Sequence, residues 1–117
     1  MTLKEIASDI RLFGARRKGR ISMDKESFEA ELKASGYTQI EAKTLDPRPT
    51  NTEHAHDYDI RGLVVDGTFT VWQNNEPVCY RAGQVFAVPA GIEHSEEIGL
   101  DGARVLVGRK YHSQAKS

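Results

Sequence analysis

A chain of 117 residues, 38% hydrophobic and 28% charged, is enough for one domain around one core and leaves little for a second. No apolar run approaches the roughly 20 residues that cross a bilayer, and a net charge of −1 provides no overall field for nucleic acid or an anionic membrane surface. Lys4, Glu5 and Asp9 interrupt the first ten residues, so no export signal is expected there, and the lone Cys79 excludes an internal disulfide and fits a reducing cytoplasm.

In chain order, Thr2 and Glu5 form a capping-box pattern ahead of Leu3, Ile6, Ile10 and Phe13, which recur at helical spacing up to Gly14. The run Arg16, Arg17, Lys18 and Arg20 is either a solvated loop or a grip for phosphate, and is left unassigned. A second short helix is expected over residues 25–35. Asp24 caps it, Met23 and Phe28 stand at the spacing of a hydrophobic staple, and Gly36 stops it. Its apolar stripe, Phe28 and Leu32, is thin, so both helices are expected to lean on a larger core.

From Tyr37 onward the chain turns to short runs of Val, Ile, Thr, Tyr and Phe separated by turn residues. Strands are expected at 38–44, 50–56, 60–66, 68–73, 78–81, 85–88, 94–98 and 104–109. Asp66-Gly67 predicts a tight hairpin, and Asn74-Asn75-Glu76-Pro77, Ala82-Gly83, Pro89-Ala90-Gly91 and Gly99-Leu100-Asp101-Gly102 predict further reversals. So many short strands in so few residues predict a mainly β jelly roll or small barrel. The expected organisation is a helical extension at residues 1–36, a β-barrel at 37–112 and a disordered tail at 113–117.

His54 and His56 stand two apart, so on a strand they share one face with Cα atoms about 6.6 Å apart, and two imidazoles so placed converge on one ion. His94, following the Pro89-Ala90-Gly91 turn, brings a third imidazole from another part of the sheet. Against this stands the plain reading of exposed or hydrogen-bonded strand histidines. His112 falls in the polar tail and is expected to be solvated. Arg61 is either a two-pronged partner for a substrate carboxylate or an outward-facing strand residue. Tyr58, Trp72, Tyr80 and Phe86 are candidates for the lining of a barrel mouth or for ordinary sheet packing. Cys79 is expected as a small buried hydrophobe.

His54-Ala55-His56, then Gly67, then Gly83, Pro89, Gly91 and His94 together resemble the two motifs of the cupin superfamily, over about residues 38–110. The resemblance implies a double-stranded β-helix barrel with an inward-facing metal, commonly iron, manganese, nickel or zinc, and a homodimer. The chain departs from the pattern at three places: Arg48 stands where the first motif opens with Gly, Ile60 where it carries a metal-binding Glu, and Ile98 where the second motif closes with Asn. The usual carboxylate ligand is thus missing, with Asp57 and Asp59 as nearby substitutes if a loop reorients them. Three neutral imidazoles leave the full charge of a divalent cation, which favours an anionic ligand. The expected function is a metal-binding barrel acting on a small polar or anionic molecule; the alternative is a non-catalytic binding or sensing module.

Overall fold

The computed structural model describes residues 23–112. The expected first helix, the basic run Arg16 to Arg20 and the 113–117 tail lie outside the described residues, which contain one helix and five strands.

Helix α1, Lys25–Ala34, begins where Asp24 accepts a hydrogen bond from the Ser27 amide at 2.8 Å. It ends in a Schellman closure: Tyr37 N–H donates to the Leu32 carbonyl at 2.9 Å and Gly36 N–H to the Lys33 carbonyl at 3.2 Å. Gly36 takes the left-handed conformation this requires, φ +87. Phe28 and Leu32 are wholly buried against Leu63 and Leu106, on the outer face of the sheet. A Cβ on Gly108 would lie 3.0 Å from the Leu32 side chain, so glycine there lets the helix lie close. The two-residue stripe therefore suffices because the sheet supplies the rest of the apolar surface.

The strands are β1 (Thr38–Leu45), β2 (Tyr58–Gln73), β3 (Glu76–Arg81), β4 (Val85–Val88) and β5 (Ser95–Tyr111). All pairings are antiparallel. The long strands β2 and β5 pair along most of their length and run through both halves of the molecule. In one half, the start of β2 and the end of β5 lie between β4 and β1. In the other, the end of β2 lies between β3 and the start of β5. The segment between β1 and β2 borders β5 there through isolated bridges, Arg48 to Ile98 and His54 to His94. The expected strand at 50–56 is thus an irregular edge, pinned to β5 at Arg48, Asn51 and His54 rather than laddered. Val64, Phe86, Val88 and Val105 from the first half meet Phe69, Val71 and Ile98 from the second in one core. This is the mainly β jelly-roll architecture expected of the sequence.

Two expected reversals are bulges instead. Asp66-Gly67 does not turn the chain; β2 continues through it, with register shifts against β5 between Val64 and Asp66 and between Gly67 and Phe69. Likewise Gly99-Leu100-Asp101-Gly102 lies inside β5, where Ile98 pairs with Phe69 and Ala103 with Gly67. Gly67 and Gly102 do adopt positive φ, +81 and +73, so the local conformation that suggested a turn is present. The partner strand keeps the chain extended. The consequence is a change of parity: the even-numbered Ile60, Gly62 and Val64 face inward before the bulge, and the odd-numbered Phe69 and Val71 after it. Asn74 and Asn75, at φ 53 and 65, form the real two-residue hairpin between β2 and β3.

Candidate metal centre

The cluster begins with the bridge between His54 and His94, whose backbones exchange two hydrogen bonds, each 2.9 Å. That exchange sets one imidazole beside the other, with ring centroids 4.4 Å apart. His56, two residues on, projects to the same side and lies 5.1 Å from His54 and 5.2 Å from His94 by centroid. One ring nitrogen from each histidine lies within 4.8 Å of the others. The Pro89-Ala90-Gly91 turn is held from two directions, by Gly91 N–H donating to the His56 carbonyl at 2.8 Å and Ala90 N–H donating to Asp59 Oδ1 at 2.8 Å.

The rings are oriented by their outer nitrogens. His54 Nδ1 lies 2.9 Å from the Thr52 carbonyl and His94 Nδ1 lies 3.0 Å from the Ile92 carbonyl. A carbonyl only accepts, so each Nδ1 carries the proton and each Nε2 presents a lone pair inward. His94 is 0% exposed, and its Nε2 is a buried polar atom without a hydrogen-bond partner. An orphaned inward lone pair is costly by itself, and a metal ion at that point satisfies it. The donor set fits a divalent transition metal, for which neutral imidazole is a common ligand.

Burial first, and then the neighbouring imidazoles of His94 and His54, hold the His56 pKa below its ordinary value. His56 thus remains unprotonated, and able to ligate, somewhat below neutrality. The sign for stability follows: as the pH drops below about 6.5, the unfolded chain takes up the proton before the folded one, so the folded state loses stability. The metal-free protein is expected to show a lower urea midpoint at pH 5.5 than at pH 7.5, with part of the difference removed in His56→Gln.

Beneath the cluster is a cavity of about 260 Å³ whose apolar wall includes Ile60, Phe69, Phe86 and Val105. Its polar rim carries His54, His56, Tyr58, Lys43, Arg48, Arg109 and a single acid, Glu96, with the wholly buried His94 behind the other two imidazoles. Tyr58 stacks on His56 at 4.8 Å and lies under the Arg109 guanidinium at 4.7 Å.

The structure therefore places Tyr58 and Phe86 in the cavity with His54 and His56, which His94 joins in the cluster from its buried side. Arg61 and Trp72 are elsewhere. Arg61 is next to the inward Ile60, so strand alternation turns it out, where it pairs with Glu31 of α1 at 3.2 Å over the Phe28 ring. Trp72 follows the core residue Val71 and faces outward, donating from Nε1 to Glu97 Oε1 at 3.2 Å. Tyr80 packs on the back of Phe86, centroids 5.8 Å apart. Asp57 is exposed and Asp59 is engaged by Ala90 and by His112 Nε2 at 2.9 Å, so neither supplies a carboxylate to the cluster. His112 is thus paired rather than simply solvated, and Cys79 is exposed on β3 rather than buried.

Sequence reasoning missed Glu96, Lys43, Arg48 and Arg109 as cavity residues. For Glu96 the signal was available, because it stands two residues after His94 and so shares its face.

A jelly roll whose two halves enclose an inward cluster of three histidines defines a small β-barrel with a centre that could hold a metal ion. The model of the Cupin domain family matches residues 43–106, and the chain belongs to that family. No functionally curated protein matches the chain. Among solved structures, a cupin-2 domain containing protein from Shewanella frigidimarina is similar at 19% identity and TM-score 0.54, over 66% of this chain and 72% of that one. A predicted oxalate decarboxylase from Thermotoga maritima is similar at 20% identity and TM-score 0.54, over 70% and 73%. The salicylate 1,2-dioxygenase of Pseudoaminobacter salicylatoxidans is similar at 25% identity and TM-score 0.54, over 61% of this chain and only 22% of that larger one. These likenesses establish the fold.

Proposed function

We propose that the protein is a metal-binding cupin that takes a small anionic molecule, of carboxylate type, into the cavity beneath His54, His56 and His94. The observation that carries the metal is the orphaned, wholly buried Nε2 of His94 beside two further imidazoles. The anion is suggested by the rim, where Lys43, Arg48 and Arg109 outnumber the single Glu96. A cation bound among neutral imidazoles adds to that bias.

Arg109 is the anchor this reading assigns to the anion. Lys43 faces Glu41 at 3.7 Å and Arg48 faces Glu96 at 3.6 Å. The polar side-chain partners of Arg109 are neutral, Gln39 Oε1 at 3.3 Å and Tyr111 Oη at 3.4 Å. Tyr58 fixes the plane of the guanidinium from below and offers its hydroxyl to the same ligand. Phe69, Phe86 and Val105 exclude water from the cavity floor and so strengthen each polar contact above it. When bound, a divalent iron, manganese, nickel or zinc supplies Lewis-acid polarisation of an oxygen of the held molecule. Among the described residues no helix is long and apolar enough to cross a membrane; a cytoplasmic setting is part of this proposal, with the lone Cys79 in keeping with a reducing compartment. Dimerisation through an open sheet edge is part of the same proposal and is read by light scattering.

Calorimetric titration of metal-loaded protein with small carboxylic acids and their neutral amides tests the reading. Acids are expected to bind and amides not, and Arg109→Gln weakens the acids about tenfold, the loss of roughly 1.4 kcal/mol from a charge-assisted hydrogen bond. Amides binding as tightly as acids would sink it. Tight acid binding without turnover, in protein loaded with each metal in turn, assigns the sensing role instead of catalysis.

A further inference from the structure

We propose that Glu96 is the fourth protein ligand of the metal, a carboxylate moved from the first motif, where Ile60 stands, to a position two residues beyond His94. The inference rests on the metal-binding reading above and adds to it a residue and a donor set. Glu96 Oε2 lies 3.3 Å from His94 Nε2 and 3.9 Å from His54 Nε2. With both Nδ1 atoms donating to carbonyls, the Nε2 atoms of the neutral rings present lone pairs to a carboxylate oxygen, an arrangement of acceptor against acceptor that repels unless a proton or a metal ion lies between them. Ligand atoms about 2.0–2.2 Å from one tetrahedral metal ion stand roughly 3.3–3.6 Å apart, which the 3.3 Å to His94 matches and the 3.9 Å to His54 approaches.

The backbone around Glu96 is held for this role. Asn51 engages both of its main-chain groups: the Asn51 side chain accepts from Glu96 N–H at 2.8 Å, and Asn51 N–H donates to the Glu96 carbonyl at 3.2 Å. Strand alternation turns Glu97 the other way, to Trp72 and to Thr50 Oγ1 at 3.3 Å. Glu96 Oε1 faces Arg48 at 3.6 Å, which leaves Oε2 directed at the imidazoles. Ile60, at the position of the family's usual carboxylate, lies in the cavity wall and forms no part of the histidine cluster. Glu96 thus stands beside two of the three imidazoles, those of His94 and His54, which puts the acid on β5 rather than at the start of β2.

The test is zinc and cobalt titration of chelator-stripped protein, comparing wild type, Glu96→Gln, Glu96→Asp, His94→Ala and the double variant Ile60→Glu with Glu96→Gln. Circular dichroism confirms that each is folded. The proposal predicts that Glu96→Gln weakens zinc binding by at least about a hundredfold, since losing a direct ligand costs no less than losing a supporting partner of one. It also predicts an altered visible spectrum of the cobalt form and partial recovery of affinity in the double variant. Zinc affinity within threefold of wild type in Glu96→Gln, with binding lost in His94→Ala, overturns this proposal and leaves the histidine centre standing. A wild type that binds neither ion at micromolar concentration overturns both.

Discussion

Replacing His94 with alanine is expected to abolish metal binding and to lower the stability of the metal-free protein by about 2–3 kcal/mol. The side chain is fully buried, so its removal leaves a void that the paired backbone of His54 and His94 prevents from closing. The Ile92 carbonyl also loses its donor. Against these losses, the orphaned Nε2 disappears, which relieves one unsatisfied buried group and keeps the estimate at the low end for a large-to-small core change. Metal affinity falls further than the roughly hundredfold cost of losing an outer partner, because an inner ligand is gone. Urea unfolding with chelator present gives the first quantity and zinc titration the second. Stability equal to wild type would mean the ring contributes nothing to packing, and unchanged affinity would remove it from the site.

Gly67→Ala is expected to cost about 2–5 kcal/mol, although the residue sits in a continuous strand and outside the histidine cluster. The left-handed φ of +81 accounts for about 1–2 kcal/mol once a Cβ is present. The rest is steric and of the size of core overpacking, about 1–3 kcal/mol. The new atom would collide with the Gly102 carbonyl oxygen and lie 2.9 Å from the Ala103 Cα. Both are backbone of the paired bulge in β5, so neither can rotate away. Gly91→Ala separates the two causes, since Gly91 has a similar φ of +80 and nothing within 4 Å of its would-be Cβ. It is expected to cost only the conformational part. Equal urea midpoints for the two variants would refute the account of the double bulge as the corner that joins the two halves.

That corner also marks the limit of what the sequence makes legible. Asp66-Gly67 and Gly99 to Gly102 carry the composition of turns because positive φ is a local property, and Gly67 and Gly102 do adopt it. Whether the chain reverses there depends on the opposite strand, which no dipeptide encodes. On local signals alone β2 and β5 therefore each read as two strands, shorter than the strands that form. Helix α1, by contrast, is set by Asp24, Phe28, Leu32 and Gly36, all within its own turns and cap, and its bounds agree with expectation to one residue.

The same distinction governs the site. His54 and His56 are legible because the two-residue alternation of an extended chain is local, and His94 because a turn of fixed spacing precedes it. Alternation also turns Arg61 away once Ile60 faces in, and Glu96 inward once His94 does. Lys43 and Arg109 were beyond reach, because their place on the rim depends on how β1 and β5 pair across the bulge. Parity after an unrecognised bulge is inverted, so no count from the histidines along β5 reaches Arg109.

The most direct test is the metal content of the protein, measured by mass spectrometry after dialysis against zinc, for wild type and for single alanine variants of His54, His56 and His94. One ion bound per wild-type chain, and a loss in every variant, is the predicted result. A wild type without metal, or a His54→Ala or His56→Ala chain that retains a full equivalent, would contradict the claim that these three rings serve one ion.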